Sequence, residues 1–163
     1  MSMSAEQRPM SLEEIPSRVL QEGFGPGAWH GPDLKAALAD VTPAVAFWRP
    51  APGRHNIAEI ALHHAFFVRS VRVQIGGAPD EPFPVEGEEW FDVSDELRLS
   101  WASIHATLAS GQERLNAVID QIARGMVTSP LNFDERLALV LGITCHAVYH
   151  AGQIQLIKRL REG

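Results

Sequence analysis

Gly142-Ile143-Thr144-Cys145-His146-Ala147-Val148-Tyr149-His150-Ala151-Gly152-Gln153-Ile154 is the stretch that decides how this chain reads. It is apolar and suited to a helix, and it carries His146 and His150 four positions apart. On an α-helix that spacing stacks two imidazoles on one face, where both reach a single metal ion. Gly142 lies one turn before the pair and Gln153 almost one turn after it. A glycine inside a helix costs about 1 kcal/mol relative to alanine. Gly142 and Gly152 therefore predict close approach by another helix or a ligand. Cys145 points about 100° away from His146 and reads as a small buried apolar group rather than a nucleophile. A bare H-x-x-x-H pair is more often structural than metal-binding. Here a second pair, His63-His64, lies on another long apolar segment.

Working outward, Asn132 and Glu135 form a capping box that starts the helix bearing this stretch, predicted to run to about Leu160. Upstream, Ser94 is expected to cap a helix over 95–124. Its stripe is Leu97, Trp101, Ile104, Leu108, Leu115, Val118 and Ile122, and Gly125 ends it. A third helix is predicted over 57–75, capped by Asn56, with Glu59 completing a capping box and Gly76-Gly77 as the stop. Its apolar stripe is Ile57, Ile60, Ala61, His64, Val68, Val71 and Ile75. Residues 78–93 contain Pro79, Pro82 and Pro84 and read as a long loop, which lets one connection cross the bundle. The N-terminal third carries a short helix over 11–21 (Ser11 cap, Glu14, Pro16 inside), another over 32–38 and a helical turn at Thr42-Pro43. No alternating run bounded by turns suggests a strand. The expectation is one all-α domain over residues 1–163, with 1–10 a loose tail. Three long helices and one from the N-terminal third make a four-helix bundle, with short additional N-terminal helical segments.

Two ligands at i and i+4 plus one from a facing helix make a three-histidine site. Such a site leaves positions open for water or substrate, the arrangement of catalytic rather than structural metals. Periodicity does not choose between His63 and His64. His64 sits in the apolar stripe; His63 lies toward its edge, with Glu59, Phe67 and Ser70 on its own face. A site that opens to solvent favours the edge.

The segment His146-Ala-Val-Tyr149-His150-Ala-Gly152-Gln153-Ile154 resembles the last-helix signature of the DinB-like superfamily, which includes the YfiT-type proteins. Asn56-Ile-Ala-Glu59-Ile-Ala-Leu62-His63-His64-Ala65-Phe66-Phe67 resembles that family's other signature, an apolar run with an internal Glu leading to a His, then a small residue and aromatics. Ala28-Trp29-His30-Gly31-Pro32-Asp33-Leu34 looks like an opening seen in one branch. The resemblance spans about Trp29 to Arg161. It implies a four-helix bundle with one divalent metal on His63, His146 and His150, and His64 in the core. It also implies Lewis-acid chemistry. Some relatives look like metal-dependent hydrolases, others like transferases or isomerases that use a low-molecular-weight thiol. Three imidazoles suit Zn, Ni, Fe or Mn. Glu59, one turn before His63, is a capping residue, a partner of a metal ligand, or a general base. Tyr149, Gln153 and His30 are pocket candidates. His55 and His105 have no partner spacing and read as surface or structural residues. The alternative to an enzyme is a non-catalytic metal- and ligand-binding stress-response protein.

The 163 residues carry 14 Lys and Arg against 20 Asp and Glu, a formal charge of −6. Asp80, Glu81, Glu86, Glu88, Glu89, Asp92, Asp95 and Glu96 follow one another with no intervening base. Nucleic-acid binding needs a basic face, which this pattern does not supply. Lys158, Arg159 and Arg161 read as the cationic end of the last helix. Nor can the acidic metal ligands of a polymerase be placed. No run approaches the roughly 18 apolar residues of a membrane span, and Met1 to Gln7 lacks the order of a signal peptide. With one cysteine, a cytoplasmic protein is expected, acting on a small molecule with no nucleic-acid or membrane partner. Phe66, Phe67, Val148 and Ile154 lie off the main stripes. They suggest a leftover face for a homodimer, which the family resemblance also implies.

Overall fold

Side-chain caps set the starts of the long helices in the computed structural model, which describes residues 10–25, 27–79 and 81–163. The predicted tail, apart from Met10, and Asp80 of the acidic run lie outside the described residues. Helix α4 (Ile57–Gly76) begins where the Asn56 side chain accepts the Glu59 N–H at 2.8 Å. It ends at Gly77, whose φ of 64° suits a residue without a β-carbon and whose N–H bonds to the Val73 carbonyl. Helix α5 (Trp101–Ala123) is capped by Ser100, and α6 (Phe133–Glu162) starts on the Asn132–Glu135 capping box. Ahead of them lie a 3-10 turn (Leu12–Glu14), α1 (Ile15–Gly23), α2 (Leu34–Leu38) capped by Asp33, and α3 (Pro43–Ala46). Pro16 is accommodated in the first turn of α1, where its missing N–H costs nothing. Among the described residues the protein is all-helical.

Helix α4 packs against both α5 and α6, while α1 runs along α6 and touches α5. One core cluster includes Leu34, Leu38, Ile57, Leu62, Leu108 and Ile154; a second, toward the other end, includes Leu20, Val68, Ile75, Leu115 and Val140. Each such side chain, fully buried, stabilises the fold by about 1.5–3 kcal/mol. The Trp101 indole N–H donates to the Val41 carbonyl at 2.7 Å and ties α5 to the N-terminal segment.

Five expectations are corrected. Helix α5 begins at Trp101 rather than near Asp95. The Val93 N–H donates to Glu59 at 3.2 Å and its carbonyl accepts from the Asn56 amide at 2.8 Å, so the preceding loop is held against the start of α4. Leu97, expected on the buried stripe, is 94 % exposed. Gly142 and Gly152 face open space, with nothing within 4 Å of a β-carbon built on either. The close approach is at Gly23 instead, where a β-carbon would lie 3.0 Å from that of Ala147, so the end of α1 lies flat on α6. Of the four residues expected on a leftover face, Ile154 is fully buried in the core, while Phe66, Phe67 and Val148 are half-buried. Finally, α6 contains a window of mean hydropathy 1.3, enough by length and composition to cross a membrane, although here it packs against α1, α2 and α4.

The acidic loop is anchored at both ends. Near its start, Glu81 pairs with Arg72 at 3.0 Å and with Arg114. Near its end, Asn56 and Glu59 hold Val93. Between these anchors the loop reaches the histidines through Glu89 and Trp90.

Candidate metal centre

Helix α6 presents His146 and His150 one turn apart, and α4 presents His63 opposite them. The His146 Nε2 lies 3.1 Å from the Nε2 of His63 and 3.1 Å from that of His150. One nitrogen from each residue falls within 4.8 Å of the others. Tetrahedral ligands about 2.05 Å from a zinc ion stand roughly 3.3 Å apart, so the spacing suits a shared cation.

The outer nitrogens decide which atoms face inward. The His63 Nδ1–H donates to the Glu89 carbonyl at 2.7 Å, since a carbonyl only accepts. The His150 Nδ1–H likewise donates to the Gln153 amide oxygen at 2.6 Å. Both residues therefore turn an unprotonated Nε2 toward His146. At most one proton, on His146, is available to three converging nitrogens. Such a set of lone pairs is held together by a cation better than by hydrogen bonds. Burial also pushes His146 and His150 down to about 4, with neighbouring imidazoles adding to the effect, and it lowers His63. The cluster is neutral at neutral pH, the state a metal needs.

His64 has a second role besides core packing. It is fully buried, and its Nδ1 lies 2.8 Å from His146 Nδ1. For His146 to offer a lone pair at Nε2, its proton must sit on Nδ1 and His64 must accept it. The His64 proton then sits on Nε2, which has no hydrogen-bond partner. Leaving a buried donor unpaired costs about 1–3 kcal/mol. That cost is consistent with a tautomer chosen to serve His146.

The sequence suggests only a core or loop anchor at Trp90, not a place beside the histidines. Its indole stacks on His63 with ring centroids 3.8 Å apart and planes 6° from parallel. It also stacks on His55, at 3.8 Å and 8°. Two imidazoles that close to one indole must lie on opposite faces. Glu89 and Trp90 together fix His63 from the loop side. No periodicity marks a tryptophan in a proline-rich acidic loop, so the sequence carried no signal for it. His55 did carry one, and its reading as a residue without partner spacing is corrected: His55, Glu59 and His63 recur at four-residue spacing, and His55 pairs with Glu59.

Glu59 is not brought to the histidine cluster, and its carboxylate does not complete the expected capping box. It takes two guanidinium nitrogens of Arg49, the His55 Nδ1–H at 2.9 Å and the Val93 N–H. Burial opposes its ionisation, but the bonds to Arg49, His55 and Val93 outweigh this and hold its carboxyl below the usual range. Arg49 was also missed, because its partner lies ten residues away. Gln153 and Tyr149 both line the cavity over the cluster. His30 does not: its ring nitrogen bonds to the Glu22 carbonyl at 2.7 Å, away from the site.

The cavity above the histidines has a volume of about 660 Å³ and is mostly apolar, with Ile60, Leu156, Ile157 and Leu160 in its wall. That is ample for a small organic molecule. No curated protein and no solved structure matches this chain. A family model described as the DinB superfamily matches residues 28–154, well over half of the chain and all of the histidine cluster. The chain belongs to the DinB superfamily.

Proposed function

We propose that this protein is a metal-dependent enzyme acting on a small molecule, with one divalent transition metal (Zn, Ni, Fe or Mn) held by His63, His146 and His150. The observation that carries this reading is the convergence of three Nε2 atoms, two of them stripped of protons by Glu89 and Gln153. A metal there supplies a Lewis acid that polarises a carbonyl or favours the anion of a water or thiol. The protein's own part is to fix three imidazoles, shield them with Trp90, and leave one side open to an apolar cavity.

Transfer of a low-molecular-weight thiol to an electrophile is the better-supported reaction. Among the described residues no carboxylate lines the cavity, and Glu59 is bound up with Arg49 and His55 rather than placed as a base. A thiol needs no strong base once its pKa is lowered. Hydrolysis is the second reading, favoured by one observation. His55 lines the cavity with Nδ1–H tied to Glu59, which leaves its Nε2 free to hydrogen-bond a water or substrate. The test is turnover of thiol-plus-electrophile pairs, esters and amides by loaded and chelated protein. Metal-dependent turnover of the thiol pairs, absent in His146→Ala, is expected. Turnover of none, with metal changing only stability and ligand binding, would favour the non-catalytic stress-response alternative.

We place the protein in the cytoplasm as a single domain, where a lone Cys145, exposed on α6 rather than buried as expected, suits a reducing environment. It would pair as a homodimer, the commonest closed symmetry for a bundle of this size. The −6 charge speaks against a nucleic-acid partner.

A further inference from the structure

The metal cavity is set in an acidic protein, yet no Asp or Glu lines it among the described residues. Its wall carries one permanent cation, Arg54. The backbone of Arg54 is fixed: its N–H bonds to the Ala51 carbonyl at 3.1 Å, across a turn in which Gly53 takes a φ of 72°. Its own carbonyl accepts from Arg49 at 2.7 Å. The guanidinium itself makes no ion pair or hydrogen bond with any described residue. Nearby acids do not supply one. Glu59 and Asp92 line the adjoining cavity, which shares Arg54, His55 and Trp90, and both are directed at Arg49. Arg18, Arg49, Arg72, Arg114 and Arg136 all have carboxylate partners.

We propose that Arg54 is the anchor for a carboxylate on the substrate, so that the cavity takes a small molecule with an apolar body and one carboxylate end. A planar guanidinium matches a carboxylate through two parallel hydrogen bonds. A single cation with no second base beside it suits a monoanion better than a phosphate dianion. Pro50, Ile60, Leu156, Ile157 and Leu160 receive the apolar body. The proposal rests on the reading of this cavity as the substrate site, but Arg54 acts whether or not a metal is bound.

The test is calorimetric titration of wild-type protein and Arg54→Gln with 4-phenylbutyrate, its amide and 4-phenylbutylamine. Each is run on chelated and on zinc-loaded protein, with metal content measured in the same samples. The wild type should bind the acid about tenfold more tightly than the amide, loaded or not, and the amine most weakly. Arg54→Gln should erase most of that preference and leave the amide affinity unchanged. Equal binding of acid and amide by the wild type, a preference that survives Arg54→Gln, or no binding of any of the three would overturn the proposal. A preference present only with zinc would assign the carboxylate to the metal and likewise overturn it. A chain that takes up no metal yet keeps the Arg54-dependent preference would sink the metal reading alone.

Discussion

Acidifying the metal-free protein should destabilise it before most of its carboxylates protonate. His146 and His150 are held at about 4 in the folded chain, chiefly by burial, whereas an unfolded histidine titrates near 6.5. A depressed folded-state pKa makes the unfolded chain bind protons first. The stability is therefore complete above about pH 7 and is lost as pH falls from 6.5 toward 4. At about pH 5.5 each histidine costs about 1.4 kcal/mol relative to neutral pH, and the pair about 3 kcal/mol. His63 and His64 are lowered too, and they act with the same sign. For a chain of this size about 3 kcal/mol moves the melting temperature by roughly 6–12 °C. Thermal melts of chelated protein between about pH 7.5 and pH 5.5 measure this, with a His146→Leu/His150→Leu double variant beside the wild type. The variant should lose most of the pH dependence. An unchanged or rising melting temperature in the wild type, or an equal drop in the double variant, would refute the reasoning.

Other outcomes follow from the same geometry. His64→Leu should keep the core filled but weaken metal affinity about 10–100-fold, because His146 loses the acceptor that sets its tautomer; unchanged affinity in a competition titration would remove His64 from that role. Static light scattering at micromolar concentration should report a dimer, whereas a monomeric wild type would end the dimer proposal. Duplex DNA should bind weakly at about 0.15 M salt, given the charge of −6, and tight salt-sensitive binding would contradict this.

What was legible in the sequence was local. The Asn132–Glu135 box and the four-residue spacing of His146 and His150 involve neighbours on one helix, and both stand in the structure. The edge-of-stripe argument for His63 pointed to the residue that joins them. Long-range events were not legible. Glu59 looked like a helix cap because Arg49 and Val93, which take its carboxylate, are brought there only by folding. The start of α5 fell at Trp101 because Ser100, not Ser94, caps it. Gly142 and Gly152 signalled close packing by residue type alone, but they lie on the side of α6 that no other helix covers. Trp90 needed the loop's path, which composition does not encode.

The central claim is that three imidazoles hold one metal. Its most direct test is elemental analysis of protein purified without added metal or chelator, for the wild type and for His63→Ala, His146→Ala and His150→Ala. The account predicts about one divalent transition metal per chain in the wild type and loss of most of it in each variant, since each removes one of only three protein ligands. A wild-type chain that carries no metal and takes up none on incubation with zinc, or one whose metal survives all three substitutions, would contradict it.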